Sequence, residues 1–187
     1  MTKGTRIATA LGLAGAAWLA VAGCDTGTST QQAEAIDTLA MGERISYTSG
    51  CQDCHTPGFF YGEPDFARQL SGSDVGWGGP WGVSFSKNIT PGAVGGVADW
   101  TDEQLITAIR SGMRPDGSIL LPPMPWPNFS KFTDLEVMAL VRYLRSVPAV
   151  QHEVPATVPP GGTPAPGTAI VFIPAPPPWD APAAAAE

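Results

Sequence analysis

Five consecutive residues, Cys51-Gln52-Asp53-Cys54-His55, carry the most specific chemistry in the chain. Two thiols two residues apart can each add to one vinyl group of a haem. The adjoining imidazole then reaches the iron from the same side, so the spacing reads as c-type haem attachment. One covalent haem c is therefore the expected cofactor, held by Cys51 and Cys54 with His55 as an iron ligand. A thioredoxin-like reading of the cysteine pair expects a βαβ context, and no such pattern surrounds it. A structural zinc site needs four ligands and would have to recruit His152 from the far end of the chain.

The second axial ligand decides what such an iron does. A closed iron transfers electrons, whereas an open one binds or activates a small molecule. Met41, Met113, Met124, Met138 and His152 are the candidates, with Lys87 and Lys131 behind them. Met138 falls at helical spacing with Leu135 and Val141, and core packing is its expected role. Met41 sits in the first helical stretch and is expected to pack there. Met124 stands in Leu121-Pro122-Pro123-Met124-Pro125-Trp126-Pro127, where fixed proline φ angles stiffen the loop. A stiff loop holds a weak thioether at low entropic cost, which favours Met124, with Met113 as runner-up. Trp77, Trp81 and Trp126 either line the haem edge and hold its propionates or pack in the core.

Three helices have to position these groups. Ile36, Leu39, Ala40 and Ile45 predict one from Ala35 to about Ser49. Gly42 inside it costs about 1 kcal/mol against alanine, tolerable where another helix crosses closely. Thr101 with Gln104 forms a capping box for a second helix that stops at Gly112. Thr133 with Glu136 repeats the device for a third, which Pro148 ends. Between His55 and Ala98 the chain is rich in glycine and shows no period, so a loop wrapped on the haem is expected. From Pro148 onward lie 11 of the 20 prolines, and residues 149–187 are expected to be an extended, largely disordered tail.

The chain has 187 residues, a net charge of −7 and only 14% charged residues. An acidic surface repels phosphate backbones and argues against nucleic-acid binding. Lys3 and Arg6 precede an apolar run from Ile7 to Val21, and Val21-Ala22-Gly23-Cys24 follows. A basic start, an apolar run and small residues before a cut describe a secretory signal. The ending resembles a bacterial lipoprotein signal, with lipidated Cys24 as the mature N-terminus and membrane anchor. Asp25 beside it resembles an inner-membrane retention signal. The expected organisation is a signal at residues 1–23, lipidated Cys24 and a flexible tether over 24–34, a domain over 35–148 and the tail. The protein is then extracytoplasmic, on the periplasmic face of the inner membrane.

The order helix, Cys-x-x-Cys-His, long loop, helix, methionine loop, helix resembles class I mono-haem cytochrome c. Asn88-Ile89-Thr90-Pro91, Trp100-Thr101-Asp102-Glu103, Arg114-Pro115-Asp116-Gly117 and Pro123-Met124-Pro125 are similar to the cytochrome modules of membrane-bound alcohol, aldehyde and gluconate dehydrogenases. The resemblance covers residues 35–148. It implies an all-α fold with His55 and Met124 as axial ligands, and a first and last helix that cross at Gly42 and Tyr143. Those subunits commonly carry three such modules, whereas this chain has one Cys-x-x-Cys-His run. The function implied is electron carriage between redox partner proteins without catalysis. The alternative is a haem enzyme or gas sensor with an open sixth site.

Overall fold

In the computed structural model, residues 37–91 and 96–175 are described. The signal, Cys24, the tether, Ala35, Ile36 and Trp179 lie outside them. The first helix, α1, spans Thr38–Thr48, and Asp37 caps it by accepting N–H bonds from Leu39 and Ala40 at 3.0 and 3.1 Å. A one-turn helix, α2, spans Cys51–His55. Then come α3 at Asp102–Ser111, the short α4 at Trp126–Phe129 and α5 at Asp134–Ser146. Both expected capping boxes are present, Thr101 with Gln104 on α3 and Thr133 with Glu136 on α5.

Packing of α1 on α5 organises the molecule. A Cβ at Gly42 would strike the Ala139 carbonyl and stand 2.8 Å from Tyr143 Cβ, so only glycine admits the crossing. Leu105 and Ile109 of α3 meet Val137, Leu140, Val141 and Leu144 of α5 in one buried cluster. Two arginines tie α3 to α5. Arg110 donates to Asp134 and to the Phe132 carbonyl, and Arg145 to Asp102 and to the Trp100 carbonyl. Met138 departs from its expected core position. It faces out from α5 with 58% of its surface exposed, because α1 and α3 cover other faces of that helix.

An all-α fold is not what forms. Among the described residues a three-stranded mixed sheet stands beside the helices, in the order β2-β1-β3. Strands β1 (Gly76–Gly79) and β2 (Gly82–Phe85) make an antiparallel hairpin across Pro80-Trp81, with Gly79 opposite Gly82. Strand β3 (Ile170–Phe172) joins β1 in parallel, Gly76 facing Ile170. Three glycines in a four-residue strand erase the alternation that marks a strand in sequence. Those glycines are also useful, since a Cβ at Gly78 would crowd Ile170 and Phe172 at 3.0 and 3.3 Å.

The disordered tail expected from residue 149 is likewise corrected over its first part. Residues 150–173 run back along the segment between α2 and α3. Asn88 Nδ2 donates to the Val150 carbonyl at 2.8 Å, and Val158 exchanges two backbone hydrogen bonds of 2.8 Å with Val83. Proline fixes φ without forbidding extended pairing on an edge, which is how this tail uses it.

Candidate cofactor site

One helical turn presents Cys51, Cys54 and His55 to the same side, at positions i, i+3 and i+4. Gln52 points the other way and is buried. Its Nε2 donates to Ser46 Oγ at 3.1 Å and its Oε1 accepts from Thr56 Oγ1 at 3.2 Å, which locks the turn onto α1. Thr56 Oγ1 also accepts from the N–H of Leu70, a buried residue in the left-handed region at φ 62°. A side chain held there stores about 1 kcal/mol or more, so the surrounding bonds must over-determine it.

The three functional side chains line a cavity of about 590 Å³, a volume typical of a small-molecule or cofactor site. Leu105, Ile109, Leu140 and Leu144 of the helices supply apolar walls, and Phe85 of β2 closes another side. His55 Nδ1 lies 2.7 Å from the Lys87 carbonyl. A carbonyl only accepts, so Nδ1 carries the proton and Nε2 keeps its lone pair for the cavity. Burial holds the His55 pKa below the ordinary imidazole value, which keeps the ring neutral. Burial also pushes the Cys51 thiol up to about 11, and burial with the Asp53 carboxylate raises Cys54. Neither sulfur is disposed to be the low-pKa thiolate of a disulfide exchanger.

Met124 lines the same cavity, in the loop before α4. Ser84 Oγ of β2 donates to the Pro122 carbonyl at 2.6 Å, joining the sheet to that loop. The other candidates are elsewhere. Met113 is 40% exposed and pairs through its backbone with Ile119 outside the cavity. Met41 packs against the core. His152 is engaged with Ser71 and, through Nε2 at 3.5 Å, with Asp74, so it does not line the cavity either. Lys87 does line it, but its Nζ donates to the Pro155 carbonyl at 2.6 Å, and Lys131 does not line it.

The tryptophans divide by role. Trp77 lines the cavity, packs edge-on to Phe60 with ring centroids 5.0 Å apart, and has a buried Nε1 without a hydrogen-bond partner. A buried donor left unpaired costs about 1–3 kcal/mol, so this N–H fits an acceptor belonging to a bound group. Arg114 and Lys87 add two cations to a lining that also holds the carboxylates of Asp53, Asp99 and Asp116. An apolar chamber lined by a free imidazole nitrogen, a thioether, two thiols, an orphaned donor and two cations fits a haem with its carboxylates. Trp81 instead donates to the Trp77 carbonyl at 3.2 Å, and Trp126 sits over Gly112. Sequence reading missed the Lys87 carbonyl, Phe60 and Thr157 in this lining. A backbone acceptor leaves no mark in residue types, and Thr157 is far off in the chain.

These features fit the pocket of a c-type cytochrome. No family model matches the chain. It is 31% identical over 143 residues to the cytochrome c subunit of the quinone alcohol dehydrogenase of Gluconobacter oxydans, covering 76% of this chain and 27% of that one. It is 31% identical over 107 residues to the fructose dehydrogenase cytochrome subunit of Gluconobacter japonicus, covering 57% and 21%. Over 111 residues it is 31% identical to the gluconate 2-dehydrogenase cytochrome c subunit of Pantoea cypripedii, covering 59% and 23%. The chain thus spans no more than 27% of the length of any of these three. It carries a cytochrome c module that resembles those of the dehydrogenase subunits.

Proposed function

We propose that this chain is an electron carrier that holds one haem c, attached through Cys51 and Cys54 with His55 and Met124 as axial ligands. The observation that supports it is the convergence of these four side chains on one apolar cavity, with His55 Nδ1 taken by a carbonyl. When bound, the haem supplies a metal that takes up and releases a single electron. The protein's residues do the rest. His55 is fixed in one tautomer, the Leu105–Leu144 walls keep water from the pocket, and the Ser84–Pro122 bond braces the methionine loop. A thioether opposite an imidazole raises the reduction potential. Trp77 Nε1 and Arg114, both on the cavity lining, would hold the haem carboxylates.

The donor we propose is a dehydrogenase subunit, in keeping with the names of the relatives, and the acceptor is a further extracytoplasmic redox protein. Lipidated Cys24 would anchor the chain at the outer face of the cytoplasmic membrane, and a lipid mass on the Cys24 peptide tests that part. The decisive test of the site is Met124→Ala beside Met113→Ala. The first is expected to abolish the sulfur-to-iron absorption band, lower the potential and admit carbon monoxide, while the second leaves all three unchanged. The reverse pattern overturns the ligand assignment. Rapid carbon monoxide binding to the unaltered protein would favour an open-site enzyme or gas sensor instead.

A further inference from the structure

We propose that residues 150–173 are a built-in strap of the cofactor pocket, holding the wall that carries Trp77 and Lys87, and not a tether leading away from the domain. The attachments occur in sequence along one surface. The Val150 N–H donates to Thr90 Oγ1 at 3.2 Å and its carbonyl accepts from Asn88. His152 Nδ1 lies 3.0 Å from the Ser71 carbonyl. A Cβ at Gly72 would strike Val154, and one at Gly82 would strike the Val158 carbonyl. Pro155 takes the Lys87 ammonium, Thr157 reaches the cavity lining, and Val158 pairs with Val83. Gly76 N–H donates to the Ala169 carbonyl at 2.8 Å, and Ile173 N–H to the Gly78 carbonyl at 2.7 Å.

Apart from Thr157, every one of these residues contacts the segment 71–90, which follows the attachment turn. Lys87 is the junction, because its side chain holds the strap while its carbonyl holds His55. Glycines 72, 76, 78 and 82 have their Cβ positions occupied by side chains or backbone of the strap or of β2. The wall is therefore shaped to receive this strap. Removing it would free the hairpin on one edge, loosen the acceptor of His55 and let water reach the pocket beside Trp77. Water stabilises the more charged oxidised state, so the potential should fall.

The effect on potential rests on the haem reading above, whereas the effect on backbone protection does not. A specific protease site inserted at Gly161-Gly162 lets the strap be cut in the folded, haem-loaded protein. Val158→Pro removes one N–H that bonds Val83 without touching the helices. In both, amide exchange at Gly76 and Val83 should rise by about tenfold or more, and the potential should drop while the sulfur-to-iron band survives. Unchanged exchange and unchanged potential in both would overturn the strap. If the uncut protein shows no haem spectrum, the haem reading falls, and the exchange measurement still decides the strap.

Discussion

Gly42 shows how much a single hydrogen atom decides. The α1–α5 crossing brings the Ala139 carbonyl and Tyr143 Cβ into the space a methyl group would need. Gly42→Ala gains helix propensity, about 1 kcal/mol, but must push two helices apart. Overpacking typically costs about 1–3 kcal/mol, and backbone has little room to yield, so net loss of stability is expected. A lower urea midpoint with an unchanged slope would register it, and a gain would refute the packing argument. Gly42 was legible in sequence because a glycine inside a good helix asks for a reason. Met138 misled for the opposite cause. Its spacing matched the apolar face, yet the angle at which α1 crosses α5 leaves it in water, and that angle is not written in a periodic pattern.

At the scale of elements, the capping boxes were the most readable features, since each is a bond between residues three apart. Thr133 and Glu136 exchange bonds of 2.8 and 3.3 Å at the start of α5. The Thr133 backbone N–H, then its hydroxyl, hold the Glu136 carboxyl below its ordinary value. A depressed pKa contributes stability that is complete above the unfolded value, about 4.3, and disappears as pH falls through the folded value. Acid denaturation of the wild type should therefore steepen below pH 4.3, and Glu136→Gln should flatten that limb. Equal acid limbs in urea titrations at pH 7 and pH 3 would contradict the role. The sheet was illegible for a matching reason. Its strands are short and built largely of glycine or taken from a proline-rich tail, and β3 finds its partner only through distant pairing.

Over the whole molecule, charge is the property that a partner's approach would test. A net charge of −7 is spread over a chain with few charged residues. Association with a basic redox partner should be fastest at low ionic strength and slow steeply as salt rises, because screening shortens the field to about 8 Å at physiological strength. Stopped-flow electron transfer with a basic and an acidic test partner measures this, and identical salt slopes for the two would refute steering. The Cys51–His55 run and Met124 stood out in sequence because each rests on local residue chemistry, and both line the cavity. The chamber that joins them was not, since its walls come from α3, α5, β2 and the segment around Thr157, brought together only by the fold.

The parallel pairing of β1 with β3 also fixes an order of events in time. Gly76 and Ile170 are partners, so the sheet stays unfinished until nearly all of the described chain has been synthesised. Gly42 and Ala139, which meet where α1 crosses α5, both precede Ile170 in the chain. Helices α1 to α5 are thus synthesised before β3, which leaves one flank of the chamber ajar while the Cys51–His55 turn already exists. An assembling chain would thus offer its thiols to an incoming prosthetic group before the last strand shuts behind it.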